Sequence, residues 1–285
     1  MKQPRKVLLA TPKYFDVVDV KNVYMRRNLK LVDKEKAMQQ WSNLHNVYQT
    51  LKTRGIIENV LSIKGVKGCE DMVFAANQSF PWMLKDERVV VMGKMKHPSR
   101  QKEIPAFRKF YKTQGYKILE LQSAEYFEGM GDTIPHPGKN LLWGGYGHRS
   151  ELTAYDELKD LLKTEVITLK LISEKFYHLD TCFLPVNAKT VLICKQAFDE
   201  EGLKKIQSGF DNAIEIPLEE AEKYFALNAH CIAGEEKIPS VAIIQKGAAK
   251  TIEILKQNNY EVMEIDTSEF MKSGGSVFCM KMMIF

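Results

Sequence analysis

Glu151-Leu152-Thr153-Ala154-Tyr155-Asp156-Glu157-Leu158-Lys159-Asp160-Leu161-Leu162-Lys163 reads as an amphipathic helix. Val166-Ile167-Thr168-Leu169-Lys170-Leu171 follows it, after a short turn, as an apolar strand of alternating character. A polar segment then leads to His178-Leu179-Asp180-Thr181-Cys182-Phe183, expected as a further strand that opens on polar residues. The same order recurs along the chain. Helices are expected over 34–54, 101–114, 151–163, 200–208 and 247–257, with strands after them at 59–63, 116–121, 166–171, 213–216 and 260–265. The first helix puts Ala37, Trp41, Leu44, Tyr48 and Leu51 on one face, and Gly55 ends it. Polar openings recur at Asp71-Met72-Val73-Phe74, Glu128 to Asp132 (leading to Leu141-Leu142-Trp143), His178 to Phe183, Asn228-Ala229-His230-Cys231-Ile232 and Ser276-Val277-Phe278-Cys279-Met280. Their spacing of about 50 residues is that of a propeller-like array. Closed around an axis, five such units bring all five openings to one cleft. An ordinary alternating α/β fold on a parallel sheet is the alternative.

The 285 residues form one domain by this reading, 1–285, with no linker-like or low-complexity stretch. A net charge of +5 with scattered basic residues argues against nucleic acid as a partner. The cluster Arg26-Arg27-Asn28-Leu29-Lys30 reads as a solvated face. No run approaches the ~20 apolar residues of a membrane span, and Val7-Leu8-Leu9-Ala10 is too short for a signal peptide. Five cysteines (Cys69, Cys182, Cys194, Cys231, Cys279), odd in number and without a paired spacing, point to a reducing, cytoplasmic setting with neither disulfides nor a zinc site.

Taken singly, the chemical motifs have plain explanations. Cys279 lies in an apolar run, where a cysteine commonly fills core. Gly274-Gly275 before it permits a tight turn and close backbone approach. His178 and Asp180, two apart, share a face if they lie on a strand. Glu128-Gly129-Met130-Gly131-Asp132 places two carboxylates in a glycine-rich turn. Gathered by closure, they suit attack on a cationic sp² carbon. Carboxylates hold a guanidinium through charge-assisted bonds, the cation favours the thiolate, and histidine shuttles protons. Gly247-Ala248-Ala249-Lys250-Thr251 lacks the spacing of a phosphate loop. His230-Cys231, Met280, Met282 and Met283 read as core, and His136, between two prolines, as a loop residue.

These residues carry a resemblance. Phe127 to Asp132, Leu142 to Arg149, His178 to Thr181 and Lys272 to Cys279 resemble the amidinotransferase (pentein) superfamily, which holds arginine deiminases, arginine dihydrolases, dimethylarginine dimethylaminohydrolases and amidinotransferases. The likeness runs from Thr11-Pro12-Lys13-Tyr14-Phe15 to Cys279. It implies a five-bladed α/β propeller with pseudo-fivefold ββαβ-type repeats. It also implies a guanidino-group hydrolase working through a thiouronium on Cys279, with a small guanidino substrate and no metal or organic cofactor. By motif, Cys279 is the nucleophile, His178 the general acid and base, and Glu128 the group that orients histidine or guanidinium. Asp180, Asp132, Asp71 and Asn77 are implied on the substrate, and Arg149 and Arg100 on its α-carboxylate.

Three departures stand beside it. Asn77 occupies the place of a guanidinium-binding aspartate in deiminases, in the form the dihydrolase branch resembles. Phe278 stands where relatives often carry arginine. The six residues after Cys279 leave little to cover the site or to form the usual closing strand. Transfer of the amidino group to an amine, or a binding module without turnover, are the alternatives.

Overall fold

The structure, a computed structural model, describes residues 3–234 and 238–285. Its strands form five separate three-stranded sheets of identical plan. β1 (Lys6–Ala10) and β2 (Asn59–Ile63) belong to the first. β3 (Ser79–Leu84), β4 (Glu87–Met92) and β5 (Lys117–Leu119) form the second. β6 (Thr133–Pro135), β7 (Leu141–Tyr146) and β8 (Glu165–Lys170) form the third. β9 (Phe183–Pro185), β10 (Thr190–Ile193) and β11 (Asn212–Glu215) form the fourth. β12 (His230–Ile232), β13 (Ser240–Gln245) and β14 (Tyr260–Ile265) form the fifth. β15 (Lys281–Ile284) returns to the first sheet and pairs antiparallel with β1, so the residues after Cys279 do form a closing strand.

In every sheet the middle strand is antiparallel to one neighbour and parallel to the other. A parallel pair needs a crossover, and one helix per unit supplies it. These helices are Lys34–Thr53, Ile104–Thr113, Leu152–Leu162, Glu200–Gly209 and Ala249–Gln257. The first buries Ala37, Gln40, Leu44, Tyr48 and Leu51 along one face, and Asp33 caps it by accepting from the Lys36 N–H. Gly55 and Gly115 turn the chain out of two helices at φ 73°, and Lys163 does the same at φ 51° without a glycine. The middle strands are apolar and buried, as in Val89–Met92 and Val241–Gln245.

Four of the polar openings are turns, where strands were expected, while the fourth in chain order runs into strand β12 at His230–Ile232 as expected. Glu70–Val73 and Leu179–Thr181 are 3₁₀ turns, and Gly129–Asp132 is a single helical turn. His178 remains extended while Asp180 lies within its turn, so the two do not share a strand face. Turns prevail because buried amides must find acceptors, and here they find them in neighbouring turns. Met130 N–H donates to Ala76 O (2.8 Å). Leu179 N–H donates to Asp132 Oδ1 (3.1 Å), and Asn228 Nδ2 to Asp180 O (3.0 Å). Phe278 N–H donates to Asn228 O (2.9 Å), and Ala76 N–H to Cys279 O (3.1 Å). Each turn is thereby bonded to the next, and the last to the first.

Candidate active site

The ring of turns holds Cys279 in the loop before β15. Asn228 sets that loop, because its Oδ1 accepts from the Ser276 and Cys279 N–H groups at 3.0 and 3.2 Å. The same side chain brings Nδ2 to 3.1 Å from Cys279 Sγ. The Gly274-Gly275 pair works as its chemistry suggests. Gly274 has φ 88°, and a Cβ there would lie 2.5 Å from the Tyr177 hydroxyl. The Cys279 thiol donates to Asp180 Oδ2 at 3.2 Å. Burial, with the Asp180 charge beside it, pushes that thiol well above its ordinary range. Burial likewise raises the Asp180 carboxyl to about 7. Asp180 Oδ1 is buried without a hydrogen-bond partner. A thiol and a carboxyl that resist ionisation are primed for a cation, which favours both charged forms.

His178 Nε2 lies 2.7 Å from Glu128 Oε2. Burial brings the imidazole down to about 4, against the pull of Glu128. Burial also works against the Glu128 carboxylate, but Arg149 Nη1 at 3.2 Å, His178 and Arg100 together hold it well below the usual carboxylate range. Arg149 further donates to Lys21 O (3.0 Å) and stacks on the Tyr177 ring. Asp132 uses both oxygens inside the protein, accepting from Ser150 Oγ (2.7 Å) and from the Leu179 N–H. It fastens two turns together.

Cys279, His178, Asp71, Asn77, Arg100 and Arg149 line one cavity of about 20 Å³, with Glu128 and Asp180 bonded to its histidine and cysteine. That volume suits about one water molecule, so a larger ligand requires the lining to move. Arg100 is engaged by Glu103 (Nη2–Oε2 3.1 Å) and donates to Asn77 Oδ1 (2.9 Å). Arginine has no acceptor, so this contact fixes the amide: Asn77 Oδ1 faces Arg100, and Nδ2 is buried without a partner. Asp71 accepts from Ser273 Oγ (2.9 Å) and pairs with Lys21 Nζ (3.0 Å).

Sequence reading passed over Lys21, Asn22, Tyr177 and Asn228, which also shape this site. Asn22 Nδ2 donates to Ser273 O (2.9 Å), and Tyr177 donates its hydroxyl proton to Gly274 O (2.6 Å). Asn228 had a signal, since it opens the fourth repeat. Lys21 and Asn22 lie in irregular chain, distant in sequence from Asp71 and Ser273, and had none. Phe278 faces away from the site, with Lys281 Nζ 3.2 Å from its ring centroid. His136 is buried, stacked on Phe210 and accepting from Trp143 Nε1 (3.1 Å). His230 is a core residue bonded to the Tyr48 hydroxyl (2.9 Å).

Comparison with known proteins agrees with this geometry. The family model described as N,N dimethylarginine dimethylhydrolase, eukaryotic, matches residues 11–285. The bifunctional arginine dihydrolase/ornithine cyclodeaminase ArgZ of Synechocystis sp. is 34% identical over 279 residues, covering 98% of this chain. This chain spans 37% of that relative's length. The N(G),N(G)-dimethylarginine dimethylaminohydrolase of Mycobacterium tuberculosis is 29% identical over 275 residues, 96% of this chain and 84% of that protein. The crystal structure of the N-terminal domain of ArgZ, in a cysteine-to-serine variant bound to substrate, superposes with a TM-score of 0.88 at 31% identity, covering 97% of both chains.

Proposed function

The chain belongs to the N,N dimethylarginine dimethylhydrolase family, and we propose that it is a cysteine-dependent hydrolase of the guanidino group of arginine. The five sheets of one plan and the closed ring of turns support reading them as the five blades of a single pentein domain. The observation that carries the function is the pairing of Cys279 Sγ with Asp180 Oδ2 at 3.2 Å, while the second Asp180 oxygen lies buried and unpartnered. A guanidinium supplies the N–H donors and the positive charge that this pair lacks.

Cation binding ionises Asp180, whose proton leaves to solvent, and ionises the thiol, whose proton passes to His178, where Glu128 stabilises the imidazolium. Sγ attacks the guanidinium carbon, and His178 returns the proton to the departing nitrogen as the C–N bond breaks. Water then attacks the resulting thiouronium, His178 takes a proton, and the C–S bond breaks to leave a ureido product and the free thiol. Arginine and one water thus give citrulline and ammonia.

Asn77 favours a second round. Its unpartnered Nδ2 is a donor, which suits the ureido oxygen that the first round creates; an aspartate there would only accept. A second attack with loss of ammonia, followed by hydrolysis, converts arginine and two waters to ornithine, carbon dioxide and two ammonia. Gly131 packs closely on Asn77, since a Cβ there would lie 2.2 Å from Nδ2.

Labelling with chloroacetamidine tests the nucleophile. Cys279 should be alkylated selectively at neutral pH, and L-arginine should protect it. Labelling spread over the five cysteines, or unaffected by arginine, would remove the basis for this function.

A further inference from the structure

A second cavity, of about 200 Å³, shares no lining residue with the first and lies behind it. Its walls are apolar, with Pro81, Trp82, Phe183, Pro185 and Tyr260 prominent, and exposed Gln3 and Gly138 stand at its rim. The turns that carry the active site also build its inner end. Met130, between Glu128 and Asp132, and Phe278, next to Cys279, both face it. Lys281 lies there too, only 1% exposed. Its Nζ approaches the Phe278 ring and the Met130 sulfur (3.7 Å), and no carboxylate among the described residues pairs with it. An ammonium carries three donors, and neither a ring face nor a thioether neutralises it. Burial pulls this ammonium down to about 7, against the pull of Asp180 and Cys279, and an anion arriving from the cavity would favour its charged form. Three other polar side chains on these walls are bonded within the protein: His136 to Trp143 and Ala188, His230 Nδ1 to Tyr48, and Tyr260 to Val186.

We infer that this cavity binds a small apolar monocarboxylate, its carboxylate on Lys281 and its hydrocarbon between Trp82 and Phe183. Size agrees, because an apolar cavity of about 150 Å³ takes benzene, and the extra volume here takes a short carboxylate arm. A hydrated inorganic anion would leave the apolar walls wet. The inference is independent of turnover at Cys279.

The probes are phenylacetate and its neutral counterpart phenylacetamide, titrated calorimetrically into the full chain. Phenylacetate should bind about tenfold or more tightly than the amide, as expected for one charge-assisted contact. Lys281→Met should abolish that preference. In Cys279→Ser, saturating L-arginine should not displace phenylacetate, because the two cavities share no lining residue. Absence of binding, equal affinity for both probes, a preference that survives Lys281→Met, or competition by arginine would each overturn the inference. Should Lys281→Met not fold, methyl-labelled methionine spectra of the wild type decide. Met130 and Met283 line this cavity and Met25 lines the other, so phenylacetate should shift the first two. A shift at Met25 alone, or none, would refute it.

Discussion

Replacing Asp180 by asparagine separates what the site costs the fold from what it contributes to the reaction. Asp180 is 1% exposed, one of its oxygens is unpartnered, and burial raises it from 3.8 to about 7. Between those values the native state keeps a proton that the unfolded chain has released. Stability therefore falls as pH rises through this window, and the loss is complete above about 7. The shift of about 3 units corresponds to about 4 kcal/mol at full ionisation. Integrated from pH 5 to pH 8.5, it amounts to about 3 kcal/mol. Asparagine has the same shape, still accepts from the Cys279 thiol and carries no charge. The stability of Asp180→Asn relative to wild type should accordingly improve by about 3 kcal/mol over that range, measured by urea unfolding at pH 5, 7 and 8.5. Activity on arginine should fall at least about 100-fold, because the buried charge facing the guanidinium is gone. A stability difference that stays flat with pH would show that Asp180 ionises in the folded protein as it does in the unfolded chain. A difference that moves the other way would show it already paired with a cation, and either result would refute the reasoning.

Glu128→Gln removes the partner of both His178 and Arg149. It should lower kcat by about 10²- to 10⁴-fold and cost about 3–5 kcal/mol in urea unfolding, since Arg149 is left buried and unpaired; an unchanged kcat would sink the role given to Glu128. Asn228→Ala strands the N–H groups of Ser276 and Cys279, so it should cost about 2 kcal/mol or more and slow alkylation of Cys279. Gly129 has φ 53°, and a Cβ there would lie 2.3 Å from Ser79 O. Gly129→Ala should therefore cost above about 2 kcal/mol, and a wild-type unfolding midpoint would count against the turn geometry.

The fold was legible where periodicity is strong. Each crossover helix has polar and apolar faces, and Gly55 and Gly115 mark two of their ends. The middle strands were harder, because a strand buried on both faces, such as Glu87–Met92 or Ser240–Gln245, loses the alternation that betrays a half-exposed one. Cys279, His178, Glu128 and Asp180 stood out through their chemistry. Their backbone did not, since the choice between strand and turn was made by partners such as the Asp132 carboxylate on the Leu179 amide, 47 residues away. Asn228 was missed for a related reason. A neutral amide announces no acid–base chemistry, and its role comes from contacts to a loop 48 to 51 residues distant. Whether Phe278 faced the site or left it likewise depended on the turn at Cys279, which no local pattern specifies.

The most direct test is to incubate the purified protein with L-arginine and measure amino-acid products by mass spectrometry and ammonia enzymatically, with Cys279→Ala alongside. The account predicts ornithine with two ammonia per arginine from the wild type and no product from the variant. Citrulline with one ammonia would keep Cys279 but contradict the role given to Asn77. No product from the wild type, or equal product from Cys279→Ala, would contradict the central claim and leave the ring of turns as a binding site without turnover.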